Sequence, residues 1–155
     1  METQLQHPAP GVPTTLEQAG AMVDKTIALL PAVTPSGIDC RDMRGTFDQK
    51  SLYNAKSLRS IVFAAEWFRA QLVAGQAHWI KKSKDHRLSS YVFKTAIEGA
   101  YSVYISNGAV ICAAVGLGLR VTTREADPNA TIQLVVQETT GNQAAWPVAS
   151  GAKKS

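Results

Sequence analysis

Five basic side chains, Lys81, Lys82, Lys84, Arg87 and Lys94, share one short segment of the chain with a single acid, Asp85. Of the 16 basic and 12 acidic residues in the sequence, 11 of each therefore lie elsewhere, and the whole net charge of +4 belongs to this segment. A local basic patch on a balanced body suits an anionic partner: nucleic acid, a phosphate group or an acidic protein face. Trp79, just ahead of the lysines, adds a ring on which a base can stack. A solvated loop between two helices accounts for the same charges equally well.

A second group follows directly. At helical spacing Ser90, Lys94 and Glu98 fall on one face, and Tyr91 lies three residues before Lys94. A lysine beside a hydroxyl can lower its pKa and make it a nucleophile or an acid, so Tyr91 with Lys94, or His86, defines an enzymatic alternative. The plainer reading makes Ser90 a helix cap and Lys94–Glu98 an exposed ion pair of about 0.2–0.5 kcal/mol. Ser106 and Asn107 stand before an apolar run, where they can cap a helix or join backbone N–H groups in holding an anion.

His78, His86, Cys40 and Cys112 lack the close spacing of zinc ligands, and Cys112 sits in an apolar run, so no metal and no disulfide are expected. Gly116-Leu117-Gly118 lacks the rest of a dinucleotide or P-loop fingerprint, and no cofactor is implied.

The elements that must position these groups are mostly helical. With 155 residues, 45% of them hydrophobic, the chain is expected to form one domain. Residues 1–13 read as a disordered leader, 14–138 as the globular body and 139–155 as a flexible tail. Thr14-Thr15-Leu16-Glu17 has the form of a capping box, with Thr14 as the cap. Leu16, Ala19, Met22, Val23, Ile27 and Leu30 form the buried stripe of a first helix that Pro31 stops. A long connection to Lys50 precedes a second helix, about Ser51 to Ala74, expected to be the central scaffold. Its stripe is Leu52, Ala55, Leu58, Ile61, Val62, Ala65, Phe68 and Leu72.

Ser89 or Ser90 starts a third helix to about Ala100, and Ser106 with Asn107 starts a fourth, Gly108 to Val115. Arg120–Arg124 and Thr131–Val136 are β-prone, with Ala126-Asp127-Pro128-Asn129 as the turn between them. The expected fold is mainly α in the α+β sense: four helices and a C-terminal β-hairpin around a helix-turn-helix-like core.

Two short helices followed by a hairpin is the order of a winged helix-turn-helix, a DNA-binding arrangement. The fourth helix, however, offers no polar side chain to a base edge and is built to be buried. Nucleic-acid contact is therefore expected from Lys81, Lys82, Lys84, Arg87 and Lys94 on phosphates, with little sequence readout. Trp67 and Phe93 are assigned to the core. The apolar and aromatic residues around Tyr101 to Ile105 suggest the alternative of a protein-interaction module, such as an inhibitor of a host factor or a homo-oligomeric piece.

The stretch Ser90-Tyr91-Val92-Phe93-Lys94-Thr95-Ala96-Ile97-Glu98, followed by Tyr104-Ile105-Ser106-Asn107-Gly108-Ala109-Val110-Ile111-Cys112-Ala113-Ala114, resembles a pattern in small uncharacterised proteins of plasmids, integrative elements and phages. The resemblance covers Ser90 to Ala114 only. It implies an accessory role in a mobile element and assigns no residue a function.

The apolar stretch Val103–Leu119, broken by Ser106, Asn107 and three glycines, falls short of the roughly 20 residues needed to span a bilayer. The N-terminal residues have neither the basic start nor the apolar core of a secretory signal. No membrane partner and a cytosolic location are expected.

Overall fold

The computed structural model describes residues 15–39, 48–73 and 87–136. The expected leader, the tail and Lys81, Lys82, Lys84, Trp79, His78, His86 and Cys40 lie outside these residues. The described elements are α1 (Leu16–Leu29), β1 (Val33–Thr34), β2 (Gly37–Ile38), a 3-10 turn (Lys50–Tyr53), α2 (Ala55–Val73), β3 (Arg87–Ser89), α3 (Ser90–Tyr101), α4 (Asn107–Gly116), β4 (Leu119–Thr122) and β5 (Thr131–Val136). The fold is mainly α, with four helices, small antiparallel sheets and the β4–β5 pair at the C-terminal side of the helices.

Each helix start follows from a short polar side chain. Thr15, not Thr14, caps α1: its hydroxyl accepts from the Gln18 N–H at 3.1 Å, so the box is displaced by one residue. Leu16 consequently sits at the first helical position and is 37% exposed, outside the buried stripe of Ala19, Met22 and Val23. Asn54 starts α2 later than Ser51: its side-chain oxygen takes the Ser57 N–H at 2.8 Å, and Lys50–Tyr53 forms the tighter 3-10 turn instead. Ala55, at the first position of α2, is exposed. Ser89 caps α3 through the Tyr91 N–H, and Ser106 caps α4 through the Ala109 N–H, both at 3.1 Å.

The centre of the molecule is α4, not α2. Every residue from Asn107 to Gly116 is buried, and the helix packs against α1, α2, α3 and β4. A helix that is apolar on all sides can be satisfied only by such a position. Its N-terminus is seated without slack, because a Cβ on Gly108 would run into the Thr34 carbonyl group. Around it, Trp67, Phe68 and Phe93 form an aromatic triangle with centroid separations of 5.3–5.9 Å in edge-to-face arrangements. Trp67 and Phe93 thus belong to the core, as their spacing suggests.

Two strand features arise from non-local pairing. The long connection after α1 folds back as the β1–β2 pair, with Gly37 at φ +120° beside the Pro128 carbonyl and the Asn107 amide. In the C-terminal sheet the order is β3-β5-β4, so β5 is the central strand and β3 its added neighbour. Arg87, expected to end a basic loop, therefore opens an edge strand that runs to Ser89. No described helix is long and apolar enough to cross a membrane.

Candidate functional site

The sheet register brings together basic residues far apart in sequence. Leu88 and Val121 flank Ile132 from the two neighbouring strands, and Ile132 is fully buried while the other two pack against the core. The alternate row, Arg87, Gln133 and Arg120, must therefore lie on the opposite, outer face. Arg87 and Arg120 are both exposed there, each one strand away from Gln133. At about 4.8 Å per strand their backbones are roughly 10 Å apart. Ser89, Thr131 and Thr122 form the next outer row, and none of the three strands contains a carboxylate. Arg87 was expected at a basic site, whereas Arg120 was missed. The alternation in Leu119-Arg120-Val121-Thr122 put Arg120 on a polar face, but nothing local showed that Arg87 shares that face.

At the far end of β3 the chain turns into α3, which carries the second part of the site. The Lys94 ammonium lies 2.8 Å from Glu98 Oε2, 5.5 Å from the Tyr91 ring centroid and 4.9 Å from that of Tyr104. Lys56, exposed on the first turn of α2, reaches the Tyr104 ring at 5.5 Å. Tyr91 is 55% exposed and Tyr104 is 60% exposed. Lys56 and Tyr104 carried no expectation as a pair, since they belong to different helical units. The Lys94–Glu98 pair is less exposed than expected: the side chains retain 14% and 27% of their accessible area. Neighbouring rings cover the lysine stem, as long cationic side chains commonly allow.

Glu98 has a second duty. The carboxylate oxygen that binds Lys94 also accepts the Ile105 N–H at 3.1 Å, fixing the α3–α4 turn immediately after Tyr104. The Lys94 hydrogen bond holds the Glu98 carboxyl below its ordinary range, helped by Ile105, with partial burial opposing the shift.

The remaining expected residues are structural. Ser90 is fully buried; its Oγ accepts from the Ala130 N–H at 3.0 Å and its own N–H donates to the Ala130 carbonyl at 2.7 Å. It thereby clamps α3 to the start of β5. Ser90 and Lys94 thus turn to different partners, Ala130 and Glu98, and do not form the hydroxyl–lysine arrangement that nucleophilic chemistry requires. Asn107 does not cap α4; Ser106 does, and the Asn107 amide donates instead to Asn129 Oδ1 at 2.9 Å and to the Ser36 carbonyl at 3.4 Å. The Gly108 N–H is held by the Pro35 carbonyl at 2.9 Å, so the donors of this turn serve the fold and leave no anion cradle.

Burial pushes the Cys112 thiol up to about 12, the value of an inert core sulfur. Among the described residues no three His, Cys, Asp or Glu side chains form a metal-binding group. Helix α4, at the position where a helix-turn-helix would carry its recognition helix, is buried along its whole length.

The sequence matches no protein-family model, no curated protein and no solved structure.

Proposed function

We propose that the chain is a small cytosolic binding protein that holds nucleic acid without catalysis, through its basic segment and the outer face of the β3-β5-β4 sheet. The observation that carries this reading is the register placing Arg87 and Arg120 in one exposed row on strands without a carboxylate. Guanidinium groups roughly two strand spacings apart, with Ser and Thr hydroxyls in the next row, suit successive phosphates of a backbone. Lys81, Lys82 and Lys84 immediately precede Arg87 in sequence and extend the same positive charge. Contacts of this type bind phosphate with little regard to base identity. The likeness of Ser90–Ala114 to proteins of plasmids and phages is compatible with an accessory role in a mobile element.

Titration of a labelled oligonucleotide at several salt concentrations tests this. The Arg87→Ala/Arg120→Ala double variant is expected to weaken binding and to reduce the magnitude of the log–log salt slope by roughly 1.4–1.8. Changing Lys81, Lys82 and Lys84 to Ala should reduce it further. Unchanged affinity and slope in both variants would sink the proposal.

A second reading, a protein-interaction module, is favoured by one observation: Val103 and Tyr104 are exposed side by side, at 38% and 60%. A partner that survives nuclease treatment in a pull-down, and is lost on Tyr104→Ala, would support it.

A further inference from the structure

We infer that the nucleic acid taken by this protein is single-stranded, with bases stacking on Tyr91 and Tyr104; the inference rests on the nucleic-acid reading above. Both rings are more than half exposed and both are held on fixed backbone. Tyr91 is in the first turn of α3, its N–H bonded to Ser89 Oγ. The peptide group after Tyr104 is held at both polar atoms: its carbonyl accepts from the Ser60 hydroxyl at 3.5 Å, and its N–H, that of Ile105, is bound by Glu98.

One ammonium, that of Lys94, lies near both rings, so their centroids are separated by no more than the sum of 5.5 and 4.9 Å. Two rings within that distance of each other are in reach of neighbouring bases of one strand once those bases are unpaired. A duplex keeps its bases stacked at about 3.4 Å per step, closing their faces to side chains. An unpaired strand offers those faces freely, and aromatic rings interleaved with cations are the usual platform for it.

Charge points the same way. Lys94 shares its charge with Glu98, whereas Lys56, on the other side of the Tyr104 contact, has no ion pair among the described carboxylates. Lys56 is exposed and, among the described residues, is held by the Tyr104 ring, so it can exchange that contact for a phosphate. A face with two rings and few uncompensated cations gains more from stacking than from phosphate neutralisation. The helix that would read a duplex groove in a helix-turn-helix, α4, is buried.

The test is fluorescence anisotropy of the full chain with one short mixed-sequence oligonucleotide, as DNA and as RNA, each single-stranded and annealed to its complement at the same salt concentration. The single strand is expected to bind at least roughly tenfold more tightly than the duplex. Tyr91→Leu and Tyr104→Leu should each weaken single-strand binding by roughly fivefold or more and leave duplex binding unchanged, while Tyr91→Phe and Tyr104→Phe retain it.

Circular dichroism melting identifies any variant that fails to fold, and the wild-type comparison of strand forms stands without the variants. Equal binding of both forms, or Leu variants that are folded and bind as wild type, would overturn the single-strand inference and leave the nucleic-acid reading intact. Binding to neither form of either polymer would overturn both.

Discussion

The polar groups on the two sides of the α3–α4 turn have opposite fates. At Ser106, Asn107 and Gly108 the donors are taken by the fold itself: by Ser106 Oγ, the Pro35 carbonyl and Asn129 Oδ1. On the other side, Tyr91 and Tyr104 face outward and the largely covered Lys94 ammonium lies against both rings. Both regions look alike in sequence, since each mixes Ser, Tyr or Asn with apolar neighbours. The difference lies in what crosses over them: the β1–β2 turn and the Pro128–Asn129 turn close on the first, whereas the first turns of α2 meet the second only through the Lys56 ammonium and Ser60 among the described residues and leave both rings more than half exposed. Substitutions should accordingly cost stability in one region and binding in the other.

The strongest way to break this contrast is Gly108→Ala. The added methyl meets backbone at Thr34, which cannot move aside as a side chain can. The expected loss is about 3 kcal/mol or more, measured by urea denaturation. A mild effect would show that the seat of α4 is loose. Ile111→Ala, in the fully buried middle of α4, should cost about 2–5 kcal/mol in the same experiment.

Ser106→Ala removes the α4 cap and is expected to cost about 1 kcal/mol with oligonucleotide affinity unchanged. A matching loss of affinity would argue that the cap touches the ligand after all.

Glu98→Gln sharpens the contrast, because Glu98 serves both regions. Its folded carboxyl lies below the ordinary 4.5, so the stabilisation it brings is fully present above that value and is lost as the pH falls through the lower, folded value. Acid titration followed by circular dichroism should show wild type losing this increment below about pH 4.5, and the Gln variant starting without it.

The smallest expected effect is on Tyr91→Ala. Its exposed ring contributes under about 0.5 kcal/mol to stability, while single-strand affinity should fall clearly.

How much of this was legible beforehand depended on whether the deciding contacts were local. Ser89 and Ser106 announced α3 and α4 because a cap acts within three residues, and the all-apolar run of α4 announced its burial. Thr15 displaced Thr14 because adjacent threonines compete for one role, and α2 starts at Asn54 rather than about Ser51 because Lys50–Tyr53 takes the tighter 3-10 turn. The long stripe of α2 suggested the central position. A stripe only shows that one side is buried, whereas α4 is buried on every side.

The site was less legible still. Arg87 drew notice through its charged neighbours, but its strand has three residues and its partner is β5, which no local pattern reveals. Lys56 and Tyr104 meet because α2 crosses the α3–α4 turn, again a contact made only by the folded chain.

The order β3-β5-β4 carries a consequence for how the protein is made. The strand that joins Arg87 to Arg120 is the last described element of the chain, yet it lies between the other two. During synthesis β3 and β4 emerge with no partner between them, and the arginine row cannot assemble until Thr131–Val136 has left the ribosome. Pairing across such a long separation is also a slow folding step. The arginine row of the surface proposed to hold a polynucleotide is thus completed only late in synthesis, after most of the chain has emerged.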